Sequence, residues 1–444
     1  MVRNAWLIPA LLVLSASGPA LAATEIQLWH SMTGALGDRV GNLAERFNQT
    51  QRDYKVTPVF KGSYDESMAA MIAATRAGNA PHVIQVFEVG TATMMAASGD
   101  DSGKKKSVVK PVHEVMAAAG QKFDPKVYVP AVSSYYTDSR GRMLSLPFNS
   151  STTVFYYNKE AFQKAGMDPN APPLTWNDVA KAAARLKASG AACAYTTGWQ
   201  SWVHLENTSA WHNQAFATRS NGFDGLDAKL VFNGAFQARH IGMLADWHKK
   251  GWFSYGGRKN EPEAKFFNGE CAMLTSSSAA YGNIAKNAKF PFAVSPLPYH
   301  ADVKGAPQNT IIGGASLWVM AGKKPDEYKG IAQFFTFLSQ PALQAEWHQL
   351  TGYLPITQGA YDLTRQQGFY DKNPGTDISV RQMTDKAPTP NSKGIRLGSF
   401  VQIRAVIDEE LEAVWAGKKT AQQALNDAVE RGNELLRKFE KANR

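Results

Sequence analysis

The sequence predicts an α/β protein folded as two lobes, and three observations carry that expectation. Strand-period and helix-period segments alternate through the N-terminal quarter, the pattern of a sheet flanked by helices. The 444 residues exceed what one compact core usually holds. The C-terminal third is strongly helical, with polar faces suited to helices packed on sheets.

A leader comes first. Arg3 precedes an apolar run from Ala5 to Ala16, then Gly18-Pro19 and the small residues Ala20-Leu21-Ala22, the order of a secretory signal peptide over residues 1–22. Its apolar core falls well short of the ~20 residues that cross a bilayer as a helix, and nothing later approaches that length. No cysteine follows the cleavage motif to carry a lipid anchor, so the expectation is a water-soluble chain diffusing in a periplasm, without membrane insertion.

Glu25 to His30 alternates in the strand period, and Leu36, Val40, Leu43 and Phe47 then recur at helical spacing. A second extended run, Tyr54 to Phe60, leads into a helix bearing Met68, Met71, Ile72 and Thr75 that stops at Gly78-Asn79, before Pro81. Val83 to Phe87 is a short apolar run of buried-strand type ending at Glu88. Such repeated units argue for a largely parallel sheet. From Met143 to Tyr157 the chain reads as extended segments interrupted by a turn-rich stretch, Pro147 to Ser151, that carries it into the second lobe. Thr175-Trp-Asn-Asp178 has the form of a capping box, with Trp176, Val179 and Leu186 inward and Gly190 as the stop. Helices are expected over Ile331 to Leu338, Ala405 to Trp415, and from Thr420 through Phe439.

The net charge of +10 invites a nucleic-acid reading, but the one dense run, Lys104-Lys105-Lys106, sits among Ser, Gly and Asp as a solvated loop does. A mildly basic surface instead raises the local concentration of a small anion. The two cysteines, Cys193 and Cys271, are free to pair in an oxidising compartment or to stand as two small buried thiols. No H-E-x-x-H pair, G-x-S-x-G elbow or P-loop spacing occurs. Two cysteines without a histidine cluster argue against structural zinc. Neither metal nor cofactor is expected, and the chain is not read as an enzyme.

Several segments then carry a likeness. Arg76-Ala-Gly-Asn-Ala-Pro81, Tyr156 to Gly166, Phe267-Asn-Gly-Glu-Cys-Ala-Met273 and Thr351-Gly-Tyr-Leu-Pro-Ile356 are general marks of solute receptors. Phe87 to Met95, Pro147 to Thr152, Gly198-Trp-Gln-Ser-Trp202, Ile311 to Trp318 and Gln402-Ile-Arg404 narrow the match. Over nearly its full mature length the chain resembles the periplasmic sn-glycerol-3-phosphate-binding proteins of ABC importers, within family 1 of the extracellular solute-binding proteins. The likeness implies a two-lobed periplasmic binding protein fold, each lobe a mixed sheet flanked by helices, joined by a multi-segment hinge. An N-terminal lobe would take residues 23–140 and about 290–345, and a C-terminal lobe about 141–289 and 346–444. It implies a monomer that captures sn-glycerol 3-phosphate, and glycerophosphodiesters besides, and hands it to an inner-membrane permease with its ATPase subunits. The alternatives are a receptor for another sugar or for glycerophosphocholine, and, from another class, a periplasmic phosphate-ester hydrolase.

The same likeness implies a ligand site of Tyr64, Glu88, Ser151, Ser277, Gly314, Tyr353 and Arg404, with Trp199 and Trp202 as stacking residues. Arg404 would take the phosphate bidentately, helped by hydroxyl donors and the amide of Gly314, while Glu88 would accept from the glycerol hydroxyls. Without the likeness, these would be core aromatics, half-buried tyrosines, turn or N-cap serines, a surface ion pair and a turn glycine. The loop from Ser98 to Ser107 is longer and more charged than the family pattern and holds none of these residues.

Overall fold

The structure, a computed structural model, describes residues 22–99 and 106–444. The expected signal peptide, apart from Ala22, and most of the charged Ser98–Ser107 loop lie outside the described residues.

Among the described residues ten strands form two sheets. The first holds β1 (Thr24–His30), β2 (Tyr54–Phe60), β3 (Val83–Phe87), β4 (Val109–Lys110), β5 (Leu146–Ser151) and β10 (Gly313–Met320). The second holds β6 (Thr153–Asn158), β7 (Cys193–Thr197), β8 (Cys271–Ser277) and β9 (Phe292–Ser295), in the order β7-β8-β6-β9. Both sheets are mixed. In the first only β2-β1-β3 run parallel, because β10 returns from the far end of the chain and pairs antiparallel with β3, β4 and β5. The largely parallel sheet expected from the N-terminal repeats therefore covers half of it. The strand-helix reading holds elsewhere: helix Gly34–Thr50 buries Val40, Leu43 and Phe47, and helix Tyr64–Arg76 begins with a complete capping box at Ser63 and Glu66. Helix Trp176–Ala188 is capped by Thr175, with Trp176, Val179 and Leu186 inward.

The crossing between sheets differs from the expected turn. Pro147 to Ser151 belongs to a buried strand, and Thr152 alone separates β5 in one sheet from β6 in the other. Adjacent Ala315 and Ser316 face Asn149 and Pro147, so the ladder is irregular at Phe148, next to Pro147, which has no N–H to give it. The chain crosses back between β9 and β10. Gln382, on helix Ile378–Thr384, ties these passages: its amide nitrogen donates to the carbonyl of Thr153, and its Oε1 accepts from Leu297 N at 3.1 Å. Thr152 Oγ1 donates to the Ile311 carbonyl at 2.9 Å. The segments that join the lobes are thus bonded to one another rather than merely adjacent.

Cys193 and Cys271 face each other in register on parallel β7 and β8, Cα atoms 4.4 Å apart, and form a disulfide. Among the described residues no helix is long and apolar enough to cross a membrane.

Candidate functional site

A cavity of about 380 Å³ opens where the two sheets meet. Three neighbouring strand ends of the first sheet form its floor. Ala315 pairs with Phe87 on one side and Asn149 on the other, so Glu88, Gly314 and Ser151 lie at adjacent strand ends. At ~4.8 Å between strands, β3 and β5 are separated by roughly 10 Å, about the length of a three-carbon phosphate ester. Gly314 stands at φ 86°, and a Cβ there would meet the Asn149 carbonyl oxygen at 1.8 Å, so only glycine fits.

The structure brings all nine residues expected from the sequence to this one cavity: Tyr64, Glu88, Ser151, Trp199, Trp202, Ser277, Gly314, Tyr353 and Arg404 line it. They arrive from both sheets and from late helices. Ser277 ends β8 and its Oγ accepts from Ala279 N at 3.1 Å, at the start of helix Ala280–Asn287. Tyr64 accepts from Asn149 Nδ2 at 3.1 Å and stacks on Phe87 with centroids 5.0 Å apart. Tyr353 stacks on Trp347. Burial raises both phenols, Tyr64 well above its usual value and Tyr353 to about 12, so both keep a proton to donate.

Trp202 opens a π-helical segment, Trp202–Asn207, and its ring lies against Gly313, where a Cβ would meet Cζ2 at 2.3 Å. This wider turn also presents Glu206, which sequence reasoning missed although it lies four residues beyond Trp202. Glu206 changes the chemistry of Arg404. The Nε and Nη2 of Arg404 donate to Glu206 Oε1 and Oε2 at 2.8 and 2.7 Å, and Nη2 also donates to Glu88 Oε1 at 2.6 Å. All three side chains are buried. Burial disfavours the guanidinium charge, but the two carboxylates outweigh it and hold Arg404 firmly protonated. Burial pushes Glu88 up, opposed by Arg404.

The forked edge of Arg404 expected to grip a phosphate is therefore spent on Glu206, leaving Nη1. One cation against two carboxylates leaves this corner with net negative charge. At 4 Å an unpaired like-charge contact costs about 4 kcal/mol in a partly screened site. The Glu88–Arg404 corner suits hydroxyl groups, whereas Ser151, Ser277, Tyr64 and Tyr353 offer uncharged donors to an anion.

Three further lining residues were invisible in sequence: Asn260 and Glu263 on the second lobe, and Arg39 on helix Gly34–Thr50. Glu263 is buried and accepts from Ser276 Oγ at 2.8 Å. The scattered histidines gather away from the cavity. Tyr195, His204, His240 and His300 form a hydrogen-bonded file at 2.9, 3.0 and 3.0 Å, packed around Trp176. Among the described residues no group of histidines, cysteines or carboxylates could hold a metal ion.

Residues 42–376 match the family described as bacterial extracellular solute-binding protein. The chain is 57% identical over 434 residues to the sn-glycerol-3-phosphate-binding periplasmic protein UgpB of Yersinia pseudotuberculosis, covering 98% of this chain and 97% of that one. It matches the protein of the same name from Salmonella typhimurium at the same identity and coverage. Among solved structures, UgpB of Mycobacterium tuberculosis in complex with glycerophosphocholine superposes with a TM-score of 0.76 at 21% identity, over 94% of this chain and 99% of that one. The GacH receptor of Streptomyces glaucescens, solved unliganded and in complex with acarbose, does so with a TM-score of 0.76 at 17% identity, over 94% and 99%. At such identities these structures speak for the fold alone.

Proposed function

The chain belongs to the bacterial extracellular solute-binding proteins, and from that premise we propose that it is the periplasmic receptor of an ABC importer for sn-glycerol 3-phosphate. The observation that carries this reading is the cavity's division into two chemistries: a carboxylate-rich corner at Glu88, Arg404 and Glu206, and a ring of uncharged donors around Ser151, Ser277, Tyr64 and Tyr353. The ligand it suits has a diol at one end and a phosphate at the other. Glu88 accepts from the glycerol hydroxyls and Arg404 donates to them through Nη1. The serine and tyrosine hydroxyls, with the amide of Gly314, hold the phosphate, and Trp199 and Trp202 cover the carbons. The identity to proteins named for this ligand and compartment supports the same assignment.

Loading is completed by closure of the lobes about the bonded crossing segments, the hinge motion known for periplasmic binding proteins as a class. We place the lobe limits near those read from the sequence, with the first crossing at Thr152 and the second after Ser295. The loaded monomer docks on a membrane permease served by ATPase subunits. It is a receptor and returns its ligand unchanged: incubation with the ester followed by assay of free phosphate is expected to give none.

A thermal-shift series tests the ligand. Glycerol 3-phosphate is expected to raise the melting temperature strongly, since ligand at a hundredfold excess over Kd adds about 2.7 kcal/mol. Maltose is expected to leave it unmoved. A shift with maltose and none with glycerol 3-phosphate would replace this reading with that of a sugar receptor.

A further inference from the structure

The inner wall of the cavity repels the anion it is read to hold. Glu88 and Glu206 share the one cation Arg404, and Glu263, 5% exposed and without an ion pair among the described residues, adds a third carboxylate on the second sheet's side. Burial pushes Glu263 up to about 7, so it carries its charge at mildly alkaline pH, where a phosphate monoester is dianionic. The serine and tyrosine hydroxyls assigned to the phosphate are uncharged and act only over hydrogen-bond distances. Attraction at longer range has to come from cations elsewhere on the wall.

Two cations line the cavity with neither a hydrogen bond nor an ion pair among the described residues, Arg39 and Lys286. The other basic groups nearby are committed, Arg404 to its two carboxylates and Lys259 to Asp65 at 2.6 Å. Arg39 is half-buried on helix Gly34–Thr50, which packs on β2 of the first sheet. Lys286 is exposed on helix Ala280–Asn287, which packs on β8 of the second. Leu36 lines the cavity three residues before Arg39, and Asn283 three before Lys286, the spacing of a single helix face. Both helices abut the segment that brings Tyr353. The Tyr353 hydroxyl donates to Sδ of Met32, just ahead of the first helix, at 3.7 Å. A Cβ on Gly282, one turn before Lys286, would meet the Leu350 carbonyl oxygen at 2.8 Å. The two cations thus stand on the helices that flank the end of the cavity assigned to the phosphate.

We infer that Arg39 and Lys286 are a capture pair, which draws the dianionic ester into the cleft by long-range attraction and sets the rate of association rather than the strength of the final contacts. The inference rests on the cavity being a glycerol-phosphate site, and gives two residues outside the contact set the step that uncharged donors cannot perform. Charges lining a cleft with low-dielectric walls focus their field on its entrance and raise association rates by about tenfold to a thousandfold. Salt screens that field, which reaches about 30 Å at 0.01 M and about 3 Å at 1 M. Association is therefore fast at low ionic strength and loses its advantage at high.

Stopped-flow tryptophan fluorescence with glycerol 3-phosphate at about pH 8 reads the rate, since Trp199 and Trp202 line the cavity. In the double variant Arg39→Gln, Lys286→Gln, the association rate constant is expected to fall about tenfold at ~0.01 M salt and to match the wild type at ~1 M, with dissociation changed less than about twofold. Lys181→Gln removes an exposed charge from helix Trp176–Ala188, outside the cavity lining, and is expected to leave association unchanged.

An unchanged association rate at low salt in the folded double variant overturns the inference. So does a loss carried by faster dissociation, which would make the pair ordinary ligand contacts. An equal loss in Lys181→Gln overturns it in favour of net charge alone. Should the double variant not fold, Lys286→Gln at its exposed position carries the same test, with an expected loss of about threefold at low salt, and no loss overturns the role of Lys286. A wild-type protein that does not bind glycerol 3-phosphate overturns the glycerol-phosphate reading and this inference with it.

Discussion

Arg404 is forked onto Glu206: Nε and Nη2 meet the two carboxylate oxygens at 2.8 and 2.7 Å, joining helix Phe400–Trp415 to the π-helical segment of the binding wall. With Glu88 at 2.6 Å on the same Nη2, one buried cation holds two buried anions. Arg404→Ala is therefore expected to do more than lose a ligand contact. It strands both carboxylates, and breaking such a buried pair costs about 3–5 kcal/mol. Urea denaturation is expected to show that loss beside the loss of glycerol 3-phosphate binding. A variant as stable as the wild type would mean that the triad is not closed in solution.

Glu88→Gln separates recognition of the diol from recognition of the phosphate. The amide keeps the shape but surrenders the charged acceptor, and a hydrogen bond to a charged group contributes about 1.5–3 kcal/mol. Affinity for glycerol 3-phosphate is expected to fall roughly tenfold to a hundredfold in calorimetry, while competition by inorganic phosphate changes little. Equal losses for both would place Glu88 at the phosphate end.

The pH dependence of stability carries the mark of Glu263. Its value in the folded protein is about 7 against an ordinary 4.5, so the native state holds the proton more tightly than the unfolded chain. Stability from that proton is full below the ordinary value and is lost as pH rises through about 7. Glu263→Gln cannot pay this loss, so its stability relative to the wild type is expected to climb by up to about 3 kcal/mol between mildly acidic and mildly alkaline pH. Parallel curves in paired thermal melts across that range would contradict the burial of an uncompensated charge.

The disulfide closes a separation of 78 residues at the end of β7 and β8 away from the cavity. Six residue-to-residue steps of strand, roughly 20 Å, separate Cys271 from Ser277. Replacing both cysteines by serine is expected to cost about 3–4 kcal/mol of stability and to leave glycerol 3-phosphate affinity unchanged below the melting temperature. A large change in affinity would show that the second lobe's sheet is strained by the bond.

Much of this was legible in the sequence, and the exceptions have physical reasons. β1, β2 and β3 announced themselves because alternation or a short apolar run is a local property. β10 broke the expected parallel order because its partners lie more than 160 residues away, and no local pattern encodes strand order. Pro147 read as part of a turn, since the irregularity beside it, Phe148 left without a partner in the pairing of β5 with β10, depends on a strand far away in the chain. The nine residues carried by the family likeness share one cavity, and the guanidinium of Arg404 is bonded there to a partner, Glu206, that only folding reveals. A helical repeat put Glu206 on the face of Trp202, which was a signal. Nothing in Asn260-Glu-Pro-Glu263 signalled that its last residue is buried without a cation.

Which end of the ligand meets Arg404 decides how the cavity divides its two chemistries. A crystal structure of the mature protein with sn-glycerol 3-phosphate answers it directly: the glycerol hydroxyls are expected against Glu88 and Arg404 Nη1, with the phosphate among Ser151, Ser277, Tyr64 and Tyr353. A phosphate seated on the guanidinium, with Glu206 turned away, would contradict it.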